Sequence, residues 1–150
     1  MLIADHDVGF RETLCSVFER RGFEVFQAGD GLEAVGIVRS RRVNIALFDF
    51  QMPRLTGLEA IRQARLILPQ MPCVLMSATL DDAIRREAMR LAEPPISVPS
   101  LLLTDRTQTL SNTPGGAPIR VLSKPVPLRQ ILEIVDALCE TVRTSVPENS

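Results

Sequence analysis

The chain has 150 residues, of which 45% are hydrophobic and 23% charged, with a formal net charge of -1. That size and composition fit one globular domain with a sizeable core. The near-neutral charge argues against direct nucleic-acid binding, and the apolar runs fall far short of the roughly 20 residues a bilayer span needs. Met1 runs straight into Leu-Ile-Ala-Asp, without the basic and apolar regions of a secretory leader, so a cytoplasmic location is expected.

Strand and helix patterns alternate from the start. Leu2 to Ala4 is a short apolar strand ending at Asp5. Phe10, Leu14, Val17 and Phe18 recur at helical spacing, and Gly22 reads as the stop. Glu24 to Ala28 reads as a second strand. Asp30 with Glu33 has the spacing of a capping box, and Leu32, Val35 and Val38 mark the inner face of that helix. Asn44 to Phe48 is a third strand, closed by Asp49. Thr56 with Glu59 opens a helix bearing Leu58, Ile61 and Leu68. Cys73 to Met76 is a fourth strand, ending at Ser77. Thr79 and Asp82 open a helix carrying Ile84, Ala88 and Leu91. Ile119 to Leu122 is a fifth strand, running into Ser123-Lys124-Pro125. The last helix has the clearest period, through Leu128, Ile131, Leu132, Val135, Leu138, Cys139 and Val142. Cys15, Cys73 and Cys139 are too far apart for a zinc or redox motif, and Cys15 and Cys73 read as buried reduced thiols.

Five strands alternating with five helices point to an α/β fold with a parallel sheet. One segment breaks the rhythm. From Glu93 to Pro118 the chain is rich in Pro, Ser and Thr, with a Gly-Gly pair and one apolar run, Leu101 to Leu103, able to dock on the body. Polar residues stand out at the carboxyl ends of the strands: Asp5, Asp49, Ser77 and Lys124. In open α/β sheets that edge binds ligands. A carboxylate can attack phosphorus and form an aspartyl phosphate. The reaction needs cations on the phosphoryl oxygens, and a hydroxyl can report the group's arrival. Asp49, Lys124 and Ser77 supply nucleophile, ammonium and hydroxyl, and Asp5 offers an oxygen to a divalent metal.

With these pieces placed, the chain resembles the receiver domains of two-component response regulators. The matching stretches are "LIADHD" with Arg11 following, "LFDFQMPRLTG", "VLMSAT" and "VLSKPV". The resemblance spans residues 1–143, with an insertion over about 93–118 and a disordered tail over 144–150. It implies a flavodoxin-like, doubly wound five-stranded parallel sheet in the order 2-1-3-4-5. It implies phosphorylation of Asp49 by a sensor histidine kinase or a histidine phosphotransfer protein. By the same match Lys124 contacts the phosphoryl group and Ser77 is the switch hydroxyl. Mg2+ would be held by Asp5, Asp49 and the backbone carbonyl of Gln51, and Lys124-Pro125 would be a cis peptide. Such a protein is a phosphoacceptor that assists its own phosphorylation and dephosphorylation, not an enzyme acting on a separate substrate. With seven residues after Arg143, the expectation is a stand-alone phosphorelay module that signals to an effector protein through a changed docking surface.

Three departures accompany the resemblance. The family's paired acids on strand 1 fall on Asp5 and His6. Imidazole is a poor magnesium ligand, so His6 or Asp7 would have to stand in for the missing acid, and magnesium binding is expected to be weak. The switch aromatic of strand 5 falls on Val121. Ser77 and Lys124 are 47 residues apart, about twice the family's span. Two other readings remain open. One is a non-phosphorylated pseudo-receiver used as a binding module. The other is a haloacid-dehalogenase-like phosphatase with Asp5 as nucleophile and Asp7 as acid/base, since "LIADHD" also fits that family's first motif.

Overall fold

A computed structural model describes residues 1–92 and 117–144. Strands and helices alternate throughout: β1 (Leu2–Ala4), α1 (Val8–Arg20), β2 (Phe26–Ala28), α2 (Gly31–Ser40), β3 (Ala46–Asp49), α3 (Gly57–Ile67), β4 (Cys73–Ser77), α4 (Asp82–Ala92), β5 (Ile119–Ser123) and α5 (Leu128–Thr144). The strands form one parallel sheet in the order β2-β1-β3-β4-β5. The expected flavodoxin-like order is therefore present, and the long connection lies between α4 and β5. Apart from Ala117 and Pro118, the expected excursion over 93–118 lies outside the described residues. So do Leu101 to Leu103 and the tail beyond Thr144.

The sheet is covered on both faces, which explains the unbroken apolar runs of β3 and β4. Successive residues of each strand point to opposite faces. Leu2, Phe48 and Leu75 join Val35, Leu58, Ile61 and Ile84 in a core beneath α2, α3 and α4. Ile3, Leu47 and Val74 face Leu14, Phe18, Ile131 and Val135 beneath α1 and α5. Burying each large aliphatic side chain in these layers stabilises the fold by about 1.5–3 kcal/mol. Cys15 and Cys73 are buried free thiols, and burial pushes the Cys73 thiol up to about 11.

The helix starts follow the sequence, with local corrections. Thr56 and Glu59 make a reciprocal capping box at α3. Asp30 caps α2 by accepting from Glu33 N, but the Glu33 carboxylate accepts from Gly29 N rather than from Asp30 N. Asp81, not Thr79 or Asp82, accepts from the third backbone N–H of α4. Gly22 ends α1 with φ of 91°, a left-handed conformation that glycine adopts without steric cost. Leu32 is 46% exposed rather than on the inner face of α2. The buried stripe of α2 runs through Gly31, Ala34, Val35 and Val38, and Leu32 lies about 100° around the helix from Gly31. Val142 is likewise exposed, in the last turns of α5.

Arg65 of α3 ties together the two ends of the segment between α4 and β5. Its guanidinium donates to Leu91 O at 2.6 Å, to Ala117 O, and to Pro118 O at 3.4 Å. Both feet of the excursion are thus fixed to one side chain beside the sheet.

Candidate functional site

The parallel register carries the polar strand ends to one rim. Ala4 pairs with Phe48, so Asp5 and Asp49 follow as neighbours on β1 and β3. Asp49 pairs with Met76, one residue before Ser77, and Ser77 pairs with Ser123, one residue before Lys124. Lys124 N donates to Ser77 O at 2.8 Å, extending the ladder beyond β5. Asp5, Asp49 and Ser77 are the buried polar side chains among the described residues. The Lys124-Pro125 peptide is cis, as the resemblance implies.

Two buried carboxylates side by side are costly without compensation. Lys124 supplies it on one flank. Its Nζ lies 2.9 Å from Asp5 Oδ2 and 3.3 Å from Asp49 Oδ1. Burial alone would lower the pKa of this ammonium, but its hydrogen bond to Asp5 and the charges of Asp5 and Asp49 outweigh it and leave the pKa raised. On the other flank, His6 Nδ1 is 2.6 Å from Asp49 Oδ2 and 3.6 Å from Asp5 Oδ1. The two nitrogen groups therefore hold different oxygens of the same acid pair. Asp7 N donates to Asp5 Oδ1 at 2.9 Å, and Gln51 N approaches Asp49 Oδ1 at 3.4 Å. The Gln51 backbone thus passes beside the Asp49 carboxylate. Ser77 Oγ accepts from Thr79 N at 3.2 Å.

Two contributors escape sequence reasoning. The Phe10 ring lies under the ammonium of Lys124, with Nζ 5.0 Å from its centroid, a cation–π arrangement. Its helical spacing in α1 marks it only as a core residue. Arg11, singled out only as a neighbour of the first motif, donates to Asp5 O and to Gln27 Oε1 and so braces the end of β1 against β2. Gly57 approaches so closely that an added Cβ would meet the Asp49 carbonyl and Leu75 Cδ1, and its N–H donates to Phe50 O. Only glycine admits this packing behind Asp49. Asp7 does not join the acid pair. Its carboxylate accepts from Phe10 N at 3.0 Å and caps α1.

The response regulator receiver domain model matches residues 1–93. The chain belongs to that family. Sporulation initiation phosphotransferase F of Bacillus subtilis (strain 168) is 33% identical over 78 residues, 52% of this chain and 63% of that protein. The shared stretch thus spans less than two thirds of that relative. A CheY-like receiver domain protein from Methanospirillum hungatei JF-1 has the same fold, with a TM-score of 0.72 at 22% identity over 95% of each chain. A Burkholderia pseudomallei response regulator, solved with a phosphorylated aspartic acid, a calcium ion and citrate, matches with a TM-score of 0.67 at 21% identity, over 99% of this chain and 74% of that one. Membership of the receiver family overturns the haloacid-dehalogenase-like alternative; Asp7, its acid/base, caps α1 instead. Receiver domains are phosphoacceptors, partners of histidine kinases and phosphotransferases, and binders of Mg2+. Among the described residues no helix is long and apolar enough to cross a membrane.

The donor set of this receiver fits magnesium only in part. Asp5, His6 and Asp49 each bring a donor atom within 4.8 Å of the others. Two of these are the carboxylates a hard cation prefers. The third is an imidazole, which magnesium disfavours.

Proposed function

We propose that this receiver unit, over residues 1–143, accepts a phosphoryl group on Asp49 within a phosphorelay. The observation that carries the reading is Lys124 Nζ, 2.9 Å from Asp5 and 3.3 Å from Asp49 Oδ1 at the carboxyl rim of the sheet. The donor is a phosphohistidine of a sensor kinase or a histidine phosphotransfer protein. Asp49 Oδ1 attacks phosphorus, the P–N bond breaks, and the departing imidazole nitrogen takes up a proton. The Lys124 ammonium stands beside that oxygen, where it neutralises charge on the transferring group. Ser77, one strand over, supplies the hydroxyl that meets the phosphoryl group once it has arrived.

The readout is a shift between two arrangements of the surface around α4, β5 and α5. That face carries an open groove of about 530 Å³, lined by residues including Met89, Val121 and Ile134. Val121 stands where the family's switch aromatic falls, and the chain has no Tyr or Trp. The Ser77 movement is therefore read here without an aromatic rotamer. Since the donor set departs from magnesium's preference, labelling depends only weakly on that ion. A cytoplasmic setting follows from the kinase as donor.

Mass spectrometry after incubation with acetyl phosphate tests the reading. The wild type is expected to gain one phosphoryl mass, absent in Asp49→Asn and located at Asp49 by borohydride reduction. No added mass, with or without Mg2+ and with phosphohistidine donors, would leave the pseudo-receiver. One contact favours that second reading: His6 already occupies Asp49 Oδ2 at 2.6 Å.

A further inference from the structure

We propose that the rim of this receiver selects a borderline transition ion of the Zn2+ or Co2+ class over magnesium, through Asp5 Oδ1, His6 Nδ1 and Asp49 Oδ2. The inference deepens the reading of the site above by naming the ion it takes.

The geometry divides the acid pair into two sides. Lys124 holds Asp5 Oδ2 and Asp49 Oδ1. His6 Nδ1 faces the other two oxygens, at 3.6 Å from Asp5 Oδ1 and 2.6 Å from Asp49 Oδ2. An ion on the His6 side therefore leaves the ammonium in place on the other two oxygens. Around a zinc-sized ion, with bonds of about 2.0–2.2 Å, neighbouring donors sit roughly 3–3.5 Å apart. The His6–Asp5 separation, 3.6 Å, lies just beyond this range. The His6–Asp49 contact needs only a small opening, and the imidazole is about half exposed and free to make it. Asp5 Oδ1 is steadied by its bond from Asp7 N, which directs the carboxylate from behind as such outer contacts do at metal sites.

The chemistry points the same way. One nitrogen and two carboxylate oxygens suit Zn2+ and Co2+, whereas Mg2+ demands oxygen donors and gives up water reluctantly. Replacing one acid by a neutral imidazole removes a negative charge from the donor set, and the loss falls most heavily on the ion bound by charge alone. Soft nitrogen donation restores affinity only to ions that use it.

The test uses the full chain with Co2+ and Mg2+ as probes and no phosphodonor. Co2+ is followed by its visible absorption, and Mg2+ by competition against it. Wild type is expected to show an imidazole-bearing Co2+ spectrum, lost in His6→Ala. Transition ions outcompete magnesium at most sites, so the deciding quantity is the change in the Co2+/Mg2+ affinity ratio. His6→Asp is expected to lower that ratio by at least about tenfold, chiefly by tightening Mg2+. Asp49→Asn, whose amide keeps the shape, is expected to weaken Co2+. An unchanged ratio in His6→Asp, a Co2+ spectrum indifferent to His6→Ala, or no Co2+ binding in a wild type of native circular dichroism would overturn the proposal. Because no phosphoryl group is involved, a failure of Asp49 labelling leaves these outcomes untouched.

Discussion

The two flanks of the buried acid pair are built differently. On one, Lys124 arrives from the far end of the chain, is mostly buried, and rests on the Phe10 ring. On the other, His6 follows Asp5 directly and has a side chain 52% exposed. Both meet the same carboxylate. The buried flank is a fixed part of the fold, whereas the exposed flank is an adjustable part of the site. A partner in a low-dielectric setting is hard to remove because its loss strands a charge. A partner in water is replaced by water at little cost.

Removing the shared carboxylate should have the largest effect. Asp49→Asn is expected to abolish phosphodonor labelling completely, read by intact mass. Next, Lys124→Met should cost about 2–4 kcal/mol in urea unfolding, because Asp5 and Asp49 remain buried without their cation. This deficit has a definite pH dependence. The Lys124 pKa is raised on folding from an ordinary 10.5, so its contribution is fully present below that value. It is lost as pH rises through the folded pKa. The gap between wild type and Lys124→Met should hold steady to about pH 10 and shrink above it.

His6→Ala should cost less than about 1 kcal/mol in the same measurement. A loss equal to that of Lys124→Met would erase the contrast between the flanks. Of comparable size, Phe10→Leu keeps the apolar packing but removes the ring, and should cost about 0.5–1 kcal/mol. A double-mutant cycle with Lys124→Met should show that this loss is coupled to the ammonium. Simple additivity would reduce Phe10 to a core residue.

The convergence of Asp5, Asp49, Ser77 and Lys124 was legible because each closes an apolar strand, and parallel strands share one carboxyl edge. The alternation of strands and helices gave the parallel sheet, and the resemblance gave its order. Contacts set by tertiary placement were not legible. Nothing in the spacing of Phe10 shows that its ring faces a cation 114 residues later in the chain. The position of His6 marked a missing acid, but not the bond it makes to Asp49. Leu32 was misplaced by one helical position because Gly31, which packs against Leu55, carries no apolar signal of its own. Asp7 looked like a spare ligand, yet a free helix N-terminus two residues after Asp5 claims its carboxylate first.

The grip of Arg65 on Leu91, Ala117 and Pro118 clamps the end of α4 and the start of β5 to one side chain. The strand that delivers the lysine therefore enters the sheet with its first carbonyls already held by α3. The ladder that carries Lys124 to the acid pair is thus anchored from α3 as well as from β4.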